Sequence, residues 1–173
     1  AQARLLGGSE VGHSLLLLAW ETVFRHCGPD RWLGYHVIGH WAKGPSPVLA
    51  EASPALRDRV LPSLLDGSES MCFAMSEPDA GTDGWQMATT AVPAEDGWRL
   101  RGTKQWITNG PYAEHALVFA VTDVEAVTAR RAGITAFLVP TDAPGFEVSS
   151  VSRMFGHIGG DEGVITLDDV GVG

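Results

Sequence analysis

The chain has 173 residues, 45% of them apolar and 19% charged, which is the composition of a globular protein rather than of a disordered polyelectrolyte. Its 12 Lys and Arg residues against 21 Asp and Glu residues give a formal net charge of −9. This acidic balance argues against a nucleic-acid-binding protein and against docking on an anionic membrane, because both need a basic face.

Two further features concern membranes and redox state. The longest strictly apolar run, Leu15–Trp20, is far shorter than the roughly 20 residues of a membrane helix, so we expect no membrane span. The two cysteines, Cys27 and Cys72, make neither a disulfide framework nor a zinc site. They are predicted to be reduced, buried thiols, which is typical of a cytoplasmic protein.

The first part of the chain has helical patterning. A first helix is predicted between an N-cap at Ser9 and a stop at Gly28. Because this helix is apolar on most sides, we expect neighbouring elements to bury it, and more of them than one short chain easily supplies. Asp30 caps a second predicted helix, which runs to Trp41.

A third helix is predicted to begin after Ser53, with Pro54 in its first turn, and to end at Gly67. Pro62 should bend this helix, because proline lacks the amide hydrogen that the helix interior needs. Residues 1–67 are therefore predicted to form a helical segment, and the pattern changes at about residues 66–70.

From residue 68 onward, short apolar runs alternate with turn residues. Asp96 and Gly97 form a hairpin turn signal, and Asp123–Arg131 is polar and predicted to be an exposed loop or short helix. Arg99, Arg101 and Lys104 are predicted to lie on the solvated face of a strand. The predicted strands lie within Met71–Ser76, Trp98–Thr103, Leu117–Val121, Ile134–Val139 and Val164–Leu167. Many short strands favour an antiparallel β-barrel or sandwich, so the fold class is α+β with a β-domain over residues 68–173.

Two segments of this region have the composition of a ligand site: Phe73–Asp83 and Gly102–Gly110. The loop Ala80–Asp83 consists mostly of small residues, which let backbone N–H groups approach a ligand. Trp106 supplies a flat apolar face, and the Thr108 hydroxyl lies on the same side of an extended strand. Together they suit a planar heterocycle with polar edges. The alternative is an ordinary turn and a core tryptophan.

The two segments resemble the signature of the acyl-CoA dehydrogenase family. That family carries aromatic-x-x-Thr/Ser-Glu-Pro-x-Ala-Gly-Ser/Thr-Asp and then, after a hairpin, Gly-x-Lys-x-Trp-Ile-Thr/Ser-Asn-Gly, and both occur here in this order. Val139–Gly145 and Gly163–Val170 resemble later strands of the same domain. The resemblance implies that residues 1–67 are part of an N-terminal all-helical domain and that residues 68–173 are a middle domain that binds FAD.

The resemblance also implies roles for individual residues. Phe73, Met75 and Ser76 are expected to border the flavin ring and its pyrimidine edge. Gly81 and Thr82 are expected to meet the FAD phosphates, with Thr82 also near the acyl-thioester substrate. The implied cofactor-binding residues are Phe73, Met75, Ser76, Gly81, Thr82, Trp106, Ile107 and Thr108.

Three of these residues belong to the second segment. Trp106 is expected to pack on the flavin ring, Ile107 to contact it through its backbone, and the Thr108 hydroxyl to approach flavin N5. The family reaction is the α,β-dehydrogenation of an acyl-CoA, in which a hydride passes to N5. The base that removes the α-proton is a Glu of the family's C-terminal helical domain. We expect this chain to be a fragment without that domain, so no catalytic residue is assigned, and Glu77 is taken as part of the binding motif.

The implied partners are an acyl-CoA substrate, an electron-transfer flavoprotein as possible electron acceptor, and further copies of the intact protein in a homo-oligomer. The implied location is the cytoplasm, or the mitochondrial matrix in a eukaryote. Two alternatives stay open. One is a related enzyme that uses oxygen, as an acyl-CoA oxidase does, or that acts on a substrate other than a CoA ester. The other is a non-catalytic, truncated flavin-binding or interaction module.

Two weaker patterns are set aside. His36 and His40 have the i, i+4 spacing of a zinc-binding pair, but no third ligand is evident, so no metal site is predicted. Gly156–Gly163 is glycine-rich but lacks the Gly-x-Gly-x-x-Gly order of a phosphate loop. We expect an exposed turn there, and its position is also compatible with a loop near the acyl site, where His157 could touch ligand.

Overall fold

A computed structural model of the chain describes residues 13–27, 46–155 and 161–173. The chain divides into two compact units. The helical unit comprises residues 1–70 and 153–160, and the β-unit comprises residues 71–152 and 161–173. The predicted second helix, the histidine pair within it, the predicted N-cap at Ser9 and most of the glycine-rich segment lie outside the described residues.

The helical unit contains helix α1, His13–Cys27, a short 3-10 turn, Pro47–Glu51, and helix α2, Pro54–Asp66. The limits predicted for α2 are confirmed: the Ser53 hydroxyl accepts a hydrogen bond from the Leu56 amide at 3.2 Å. Gly67 ends the helix in the left-handed conformation, with φ 80°. Pro62 lies inside the helix, as the sequence requires.

The neighbours that were expected to bury α1 are not found among the described residues. Leu15, Leu18 and Phe24 are 56%, 57% and 38% exposed. Leu17 of the same helix is also exposed, so the described residues leave much of its apolar surface uncovered. Cys27, at its last residue, is only partly buried, whereas Cys72 in the β-unit is buried as predicted.

The β-unit holds a seven-stranded sheet and one short helix, α3, Val124–Thr128. Asp123 caps α3 by accepting a hydrogen bond from the Ala126 amide at 3.0 Å. This segment is therefore the short helix of the two alternatives predicted for it. The strands are β1 Met71–Ala74, β2 Thr90–Ala94, β3 Gly97–Thr108, β4 His115–Val121, β5 Ile134–Pro140, β6 Phe146–Arg153 and β7 Asp161–Val172.

The sheet is mixed, so the prediction of an antiparallel barrel is correct only in part. The order is β1-β4-β2-β3-β7-β6, and β5 pairs with β4. The β2–β3 hairpin, the long β3–β7 ladder and the β4–β5 pair are antiparallel, but β1 runs parallel to β4. The described strands follow an open path rather than a closed barrel. Short apolar runs indicate strands, but they do not indicate whether two distant strands pair in parallel or antiparallel.

The core of the β-unit lies beneath β3, β4 and β7. Ala and Val side chains of β4 pack there with larger apolar side chains of the neighbouring strands, and the deepest side chains are fully buried. These include Leu100, Val118, Val139, Ile165 and Val170. The long β3–β7 ladder covers this core. It contains the second sequence motif, and it places that motif beside the segment in which the first motif follows β1.

Candidate functional site

The two sequence motifs meet at one point of the β-unit. The chain leaves β1 at Ala74, and the Ser76 carbonyl accepts a hydrogen bond from the Gln105 amide of β3 at 2.9 Å. This contact is possible because β3 contains one extra residue between Lys104 and Ile107 relative to β7. Such a bulge interrupts the ladder and releases an amide for another partner.

The bulge also determines how Trp106 is presented. Trp106 has a positive φ of 60°, which is rare for a large side chain, and it is 54% exposed. Ile107 beside it is 1% exposed, and Thr108 is half-buried. Trp106 is therefore presented to the outside of β3, and the prediction that Thr108 lies on the same side of an extended strand stays a prediction. The alternative of a core tryptophan is wrong.

A second irregularity restores the register of the ladder. β7 carries an extra residue between Leu167 and Val170, where Asp169 has φ 58°. With one extra residue in each strand, the two strands stay in step over their whole length. The sequence gives little sign of either bulge, because non-glycine residues occupy both positions.

A buried ion pair joins the two motifs. Lys104 donates a hydrogen bond to Glu77 at 2.8 Å and another to the Met75 carbonyl at 3.2 Å. The same carboxylate accepts hydrogen bonds from the amides of Ala88 at 2.6 Å and Thr89 at 3.0 Å. The prediction that Lys104 lies on the solvated face is wrong. Four hydrogen bonds that link three segments of the chain involve this pair, so it holds the motif segments together.

Charge and burial act in opposite directions on this pair. Burial raises the pKa of Glu77, but the hydrogen bonds from Lys104, Thr89 and Ala88 outweigh it, and the pKa is lowered. Burial lowers the pKa of Lys104, and the hydrogen bond and charge of Glu77 offset part of this change. Glu77 is therefore an ionised carboxylate whose oxygens are fully engaged. This arrangement suits a structural role and not a general base.

The loop of the first motif is held at both ends and open between them. Its start is a tight turn in which the Glu77 amide donates to the Ala80 carbonyl at 2.9 Å. Its end is Asp83, which accepts hydrogen bonds from the Trp85 amide at 3.3 Å and from Arg130 at 2.8 Å. Gly81, between these anchors, is exposed.

The glycine at position 81 is not required by the fold of the β-unit. A Cβ atom added to Gly81 would meet nothing within 4 Å, and the residue does not have a positive φ. At Gly102, in contrast, an added Cβ would lie 2.4 Å from the Thr89 hydroxyl. The small residue at position 81 leaves open space in front of the backbone, beside the exposed Thr82. This space fits the close approach of an anionic group such as a phosphate.

Phe73 forms a second exposed apolar surface near Met75. It is 49% exposed, although its neighbours on β1 are buried. Its ring packs against Phe119 with the centroids 4.8 Å apart. Met75 packs against a small cluster that includes Met87 and Val127. Phe73 and Trp106 thus offer aromatic surface that the described residues leave uncovered, as a site for a planar ring requires.

Thr108 contacts a residue that the sequence analysis missed. Its hydroxyl donates a hydrogen bond to a carboxylate oxygen of Glu162 at 3.1 Å. The two residues are opposite each other in the β3–β7 ladder. Nearby, the Tyr112 hydroxyl donates a hydrogen bond to Asp161. Thr108 and Glu162 are 54 positions apart in the sequence, so the sequence does not reveal this contact, which only the strand register creates.

The eight residues predicted to bind a cofactor thus lie on two segments that touch each other. The exposed ones are Phe73, Gly81, Thr82 and Trp106. Met75, Ser76 and Thr108 are half-buried, while Ile107 is buried and could meet a ligand only through its backbone. Their roles toward a cofactor stay predictions.

The described part of the chain holds neither a metal-binding cluster nor a membrane-spanning helix. No group of three or more His, Cys, Asp or Glu side chains in residues 13–27, 46–155 and 161–173 is arranged to hold a metal ion. Within the same residues, every helix is too short or too polar to cross a membrane.

Comparison with known proteins gives concordant matches. A family model described as the middle domain of acyl-CoA dehydrogenase matches residues 72–170. Cyclohexane-1-carbonyl-CoA dehydrogenase of Geobacter metallireducens is 35% identical over 167 residues, which are 96% of this chain and 42% of that protein. The chain spans less than half the length of the curated relatives it matches.

Solved structures agree with these matches. Butyryl-CoA dehydrogenase from Megasphaera elsdenii has a TM-score of 0.73 and 27% identity, with 82% of this chain and 37% of that chain covered. A structure described as PigA with FAD and proline has a TM-score of 0.64 and 32% identity, with 72% and 32% covered.

Proposed function

Because this chain belongs to the acyl-CoA dehydrogenase family, we propose that it is the FAD-binding portion of an enzyme that dehydrogenates an acyl-CoA thioester between its α and β carbons. In this proposal residues 1–67 are the end of a helical domain and residues 68–173 are the middle domain. The catalytic base is carried by a C-terminal helical domain outside these residues. No carboxylate of this chain is assigned to that role.

One observation carries the proposal. Phe73 and Trp106 expose aromatic surface on two different segments, and these segments are joined by the Glu77–Lys104 ion pair. Aromatic side chains supply the large apolar faces that line most small-molecule sites. The positive φ of Trp106 adds to this argument, because unusual backbone conformations of large residues occur often at functional sites.

The residues of the chain fit an FAD molecule in specific ways. Bound FAD would supply the acceptor for the hydride that leaves the β-carbon of the substrate. Trp106 offers a flat face for the ring system, and the Thr108 hydroxyl offers a polar contact beside it. The open backbone at Gly81 and the Thr82 hydroxyl offer hydrogen-bond donors for phosphate oxygens, with Thr82 also near the acyl-thioester. Phe73, Met75 and Ser76 would border the flavin ring and its pyrimidine edge.

The partners of the complete protein follow from the same proposal. They are an acyl-CoA thioester, an electron-transfer flavoprotein as acceptor, and further copies of the protein in a homo-oligomer. We propose the cytoplasm as its location, or the mitochondrial matrix if the source is a eukaryote. The net charge of −9 supports small-molecule partners rather than nucleic acid.

A second candidate function differs in the substrate. The relative described as PigA with FAD and proline carries the same type of domain, and its description names an amino acid rather than a CoA ester. Apart from Thr82, the residues assigned here serve the cofactor and not the substrate, so they are compatible with both candidates. The two candidates are separated by adding a panel of acyl-CoA thioesters and of amino acids to the flavin-loaded complete protein and recording which one bleaches the flavin absorbance.

The proposal is tested by FAD binding of the complete protein that carries this chain. We expect tight flavin binding with a shifted visible spectrum, and we expect Trp106→Ala to lower flavin retention because a stacking face is lost. Val92→Ala is the matched control, since Val92 is also 54% exposed but lies on β2 without an assigned role. Absence of flavin from the wild-type protein, or equal flavin content in Trp106→Ala and wild type, contradicts the assignment.

A further inference from the structure

The contact between Thr108 and Glu162 has features that a simple surface hydrogen bond does not have. Thr108 and Glu162 form the last described pair of the β3–β7 ladder, so their side chains lie directly opposite each other. The Thr108 hydroxyl donates to Oε1 of Glu162 at 3.1 Å. The other carboxylate oxygen, Oε2, is buried and has no hydrogen-bond partner among the described residues. The carboxylate is thus held in a poorly hydrated position, with Thr108 as its donor.

This arrangement decides how the Thr108 hydroxyl can serve a third group. A threonine hydroxyl has one hydrogen to donate and two lone pairs that accept. Once its hydrogen is directed to a carboxylate, its oxygen can only accept from any further partner. Hydrogen bonds to a charged acceptor are stronger than neutral ones, and a low local dielectric strengthens them further. Glu162 therefore keeps the hydroxyl in the acceptor orientation.

Resting on the proposed function, we propose that Glu162 is a positioning residue that turns the Thr108 oxygen toward the flavin as an acceptor and so favours the reduced cofactor. Nitrogen N5 of oxidised flavin carries no hydrogen and can only accept, whereas N5 of reduced flavin carries a hydrogen and can donate. A hydroxyl oxygen that can only accept a hydrogen bond therefore pairs with N5 of the reduced flavin and not with N5 of the oxidised flavin. Without Glu162, the hydroxyl is free to donate to oxidised N5.

The negative charge of Glu162 acts in the opposite direction. A carboxylate near the flavin makes the addition of electrons less favourable, so a single substitution of Glu162 mixes two effects of opposite sign. The two effects separate in a double-mutant cycle. The charge effect is the same with or without a hydroxyl at position 108, whereas the orienting effect needs that hydroxyl.

The experiment measures the reduction potential of the bound flavin against reference dyes in the complete, flavin-loaded protein. Four forms are compared: wild type, Glu162→Leu, Thr108→Val and the double variant. In each background, the effect of Glu162→Leu is the factor by which it changes the ratio of reduced to oxidised flavin. We expect this factor to be about tenfold smaller with Thr108 than with Thr108→Val, because only the Thr108 hydroxyl can be reoriented. For a two-electron couple, tenfold is about 30 mV.

The controls separate this inference from folding and from the proposed function. Thr108→Ser keeps a hydroxyl and is expected to retain the coupling with Glu162. If Glu162→Leu does not fold, as judged by thermal unfolding and flavin content, Glu162→Gln takes its place, and a smaller coupling of the same sign is expected. Equal shifts of the potential in both backgrounds overturn the inference while flavin binding persists. A wild-type protein without flavin overturns the proposed function and this inference together.

Discussion

The ammonium group of Lys104 lies 2.8 Å from a carboxylate oxygen of Glu77, and the two side chains are 0% and 4% exposed. Both residues belong to the motifs that carry the family resemblance, yet neither faces the predicted ligand site. They connect the segment after β1 to the bulged part of β3. These two charged residues thus serve the internal structure, whereas uncharged residues of the same motifs, such as Trp106, are exposed.

Breaking this pair should strongly destabilise the β-unit. We expect Lys104→Met to reduce the free energy of unfolding by about 3–5 kcal/mol, because it leaves the Glu77 carboxylate buried without its cation. The double variant Glu77→Gln/Lys104→Met should lose less than Lys104→Met alone, because no uncompensated charge remains. Urea unfolding followed by circular dichroism measures both. A double variant less stable than the single variant would show that the two residues do not act as a pair.

The same pair predicts a response to acid. The pKa of Glu77 is lowered from its ordinary value of 4.5, so the unfolded chain binds a proton at a higher pH than the folded chain does. The stabilisation from Glu77 is therefore complete above pH 4.5 and is lost as the pH falls through the lower pKa of the folded state. Urea midpoints measured between pH 7 and pH 3 should fall more steeply for the wild type than for Glu77→Gln/Lys104→Met. Parallel curves would contradict the lowered pKa.

A substitution at Gly81 should change ligand binding without reducing the stability of the fold. In Gly81→Ala the added methyl group meets no atom within 4 Å, so we expect the free energy of unfolding to stay within about 0.5 kcal/mol or to rise by up to about 1 kcal/mol. FAD affinity should fall, since the methyl group occupies the space that a phosphate would approach. Isothermal titration with FAD and thermal unfolding measure the two quantities. Unchanged affinity in Gly81→Ala removes Gly81 from the site.

Gly102→Ala is the matched control for that experiment. Gly102 has φ 152°, and an added Cβ would lie 2.4 Å from the Thr89 hydroxyl and 2.7 Å from the Thr89 Cα. This substitution should destabilise the β-unit severely and lower FAD binding only through loss of folded protein. The two substitutions thus distinguish Gly81, where the open space would admit a ligand, from Gly102, where the fold itself leaves no room for a side chain.

The two cysteines should differ in reactivity. Burial raises the pKa of the Cys72 thiol to about 12, and the side chain is 2% exposed, so the reactive thiolate is scarce and inaccessible at neutral pH. Cys27 is only partly buried. We expect N-ethylmaleimide to label Cys27 in the native protein and Cys72 only after unfolding, as peptide mass spectrometry would show. Rapid labelling of Cys72 at neutral pH in the native state would disprove its burial.

Local signals in the sequence determined much of this protein. Ser53 and Gly67 bound α2 as predicted, because capping depends on the hydrogen bonds of a few adjacent residues. The signal at Asp96 and Gly97 predicted the β2–β3 hairpin, but the two-residue turn lies one position earlier, at Glu95 and Asp96, since Ala94 pairs with Gly97. The order and spacing of the two motifs indicated the family for the same reason: their residues are close in the chain.

Only the tertiary structure decided the features that depend on distant partners. The burial of Lys104, the exposed position of Trp106 and the contact of Thr108 with Glu162 all depend on the register between β3 and β7. The parallel pairing of β1 with β4 is decided in the same way. A short apolar run has the same pattern whichever strand pairs with it, and a bulge is stable only when another segment uses the amide it releases. Strand direction, register and bulge position depend on the packing of the whole sheet, so they cannot be predicted from a local sequence pattern.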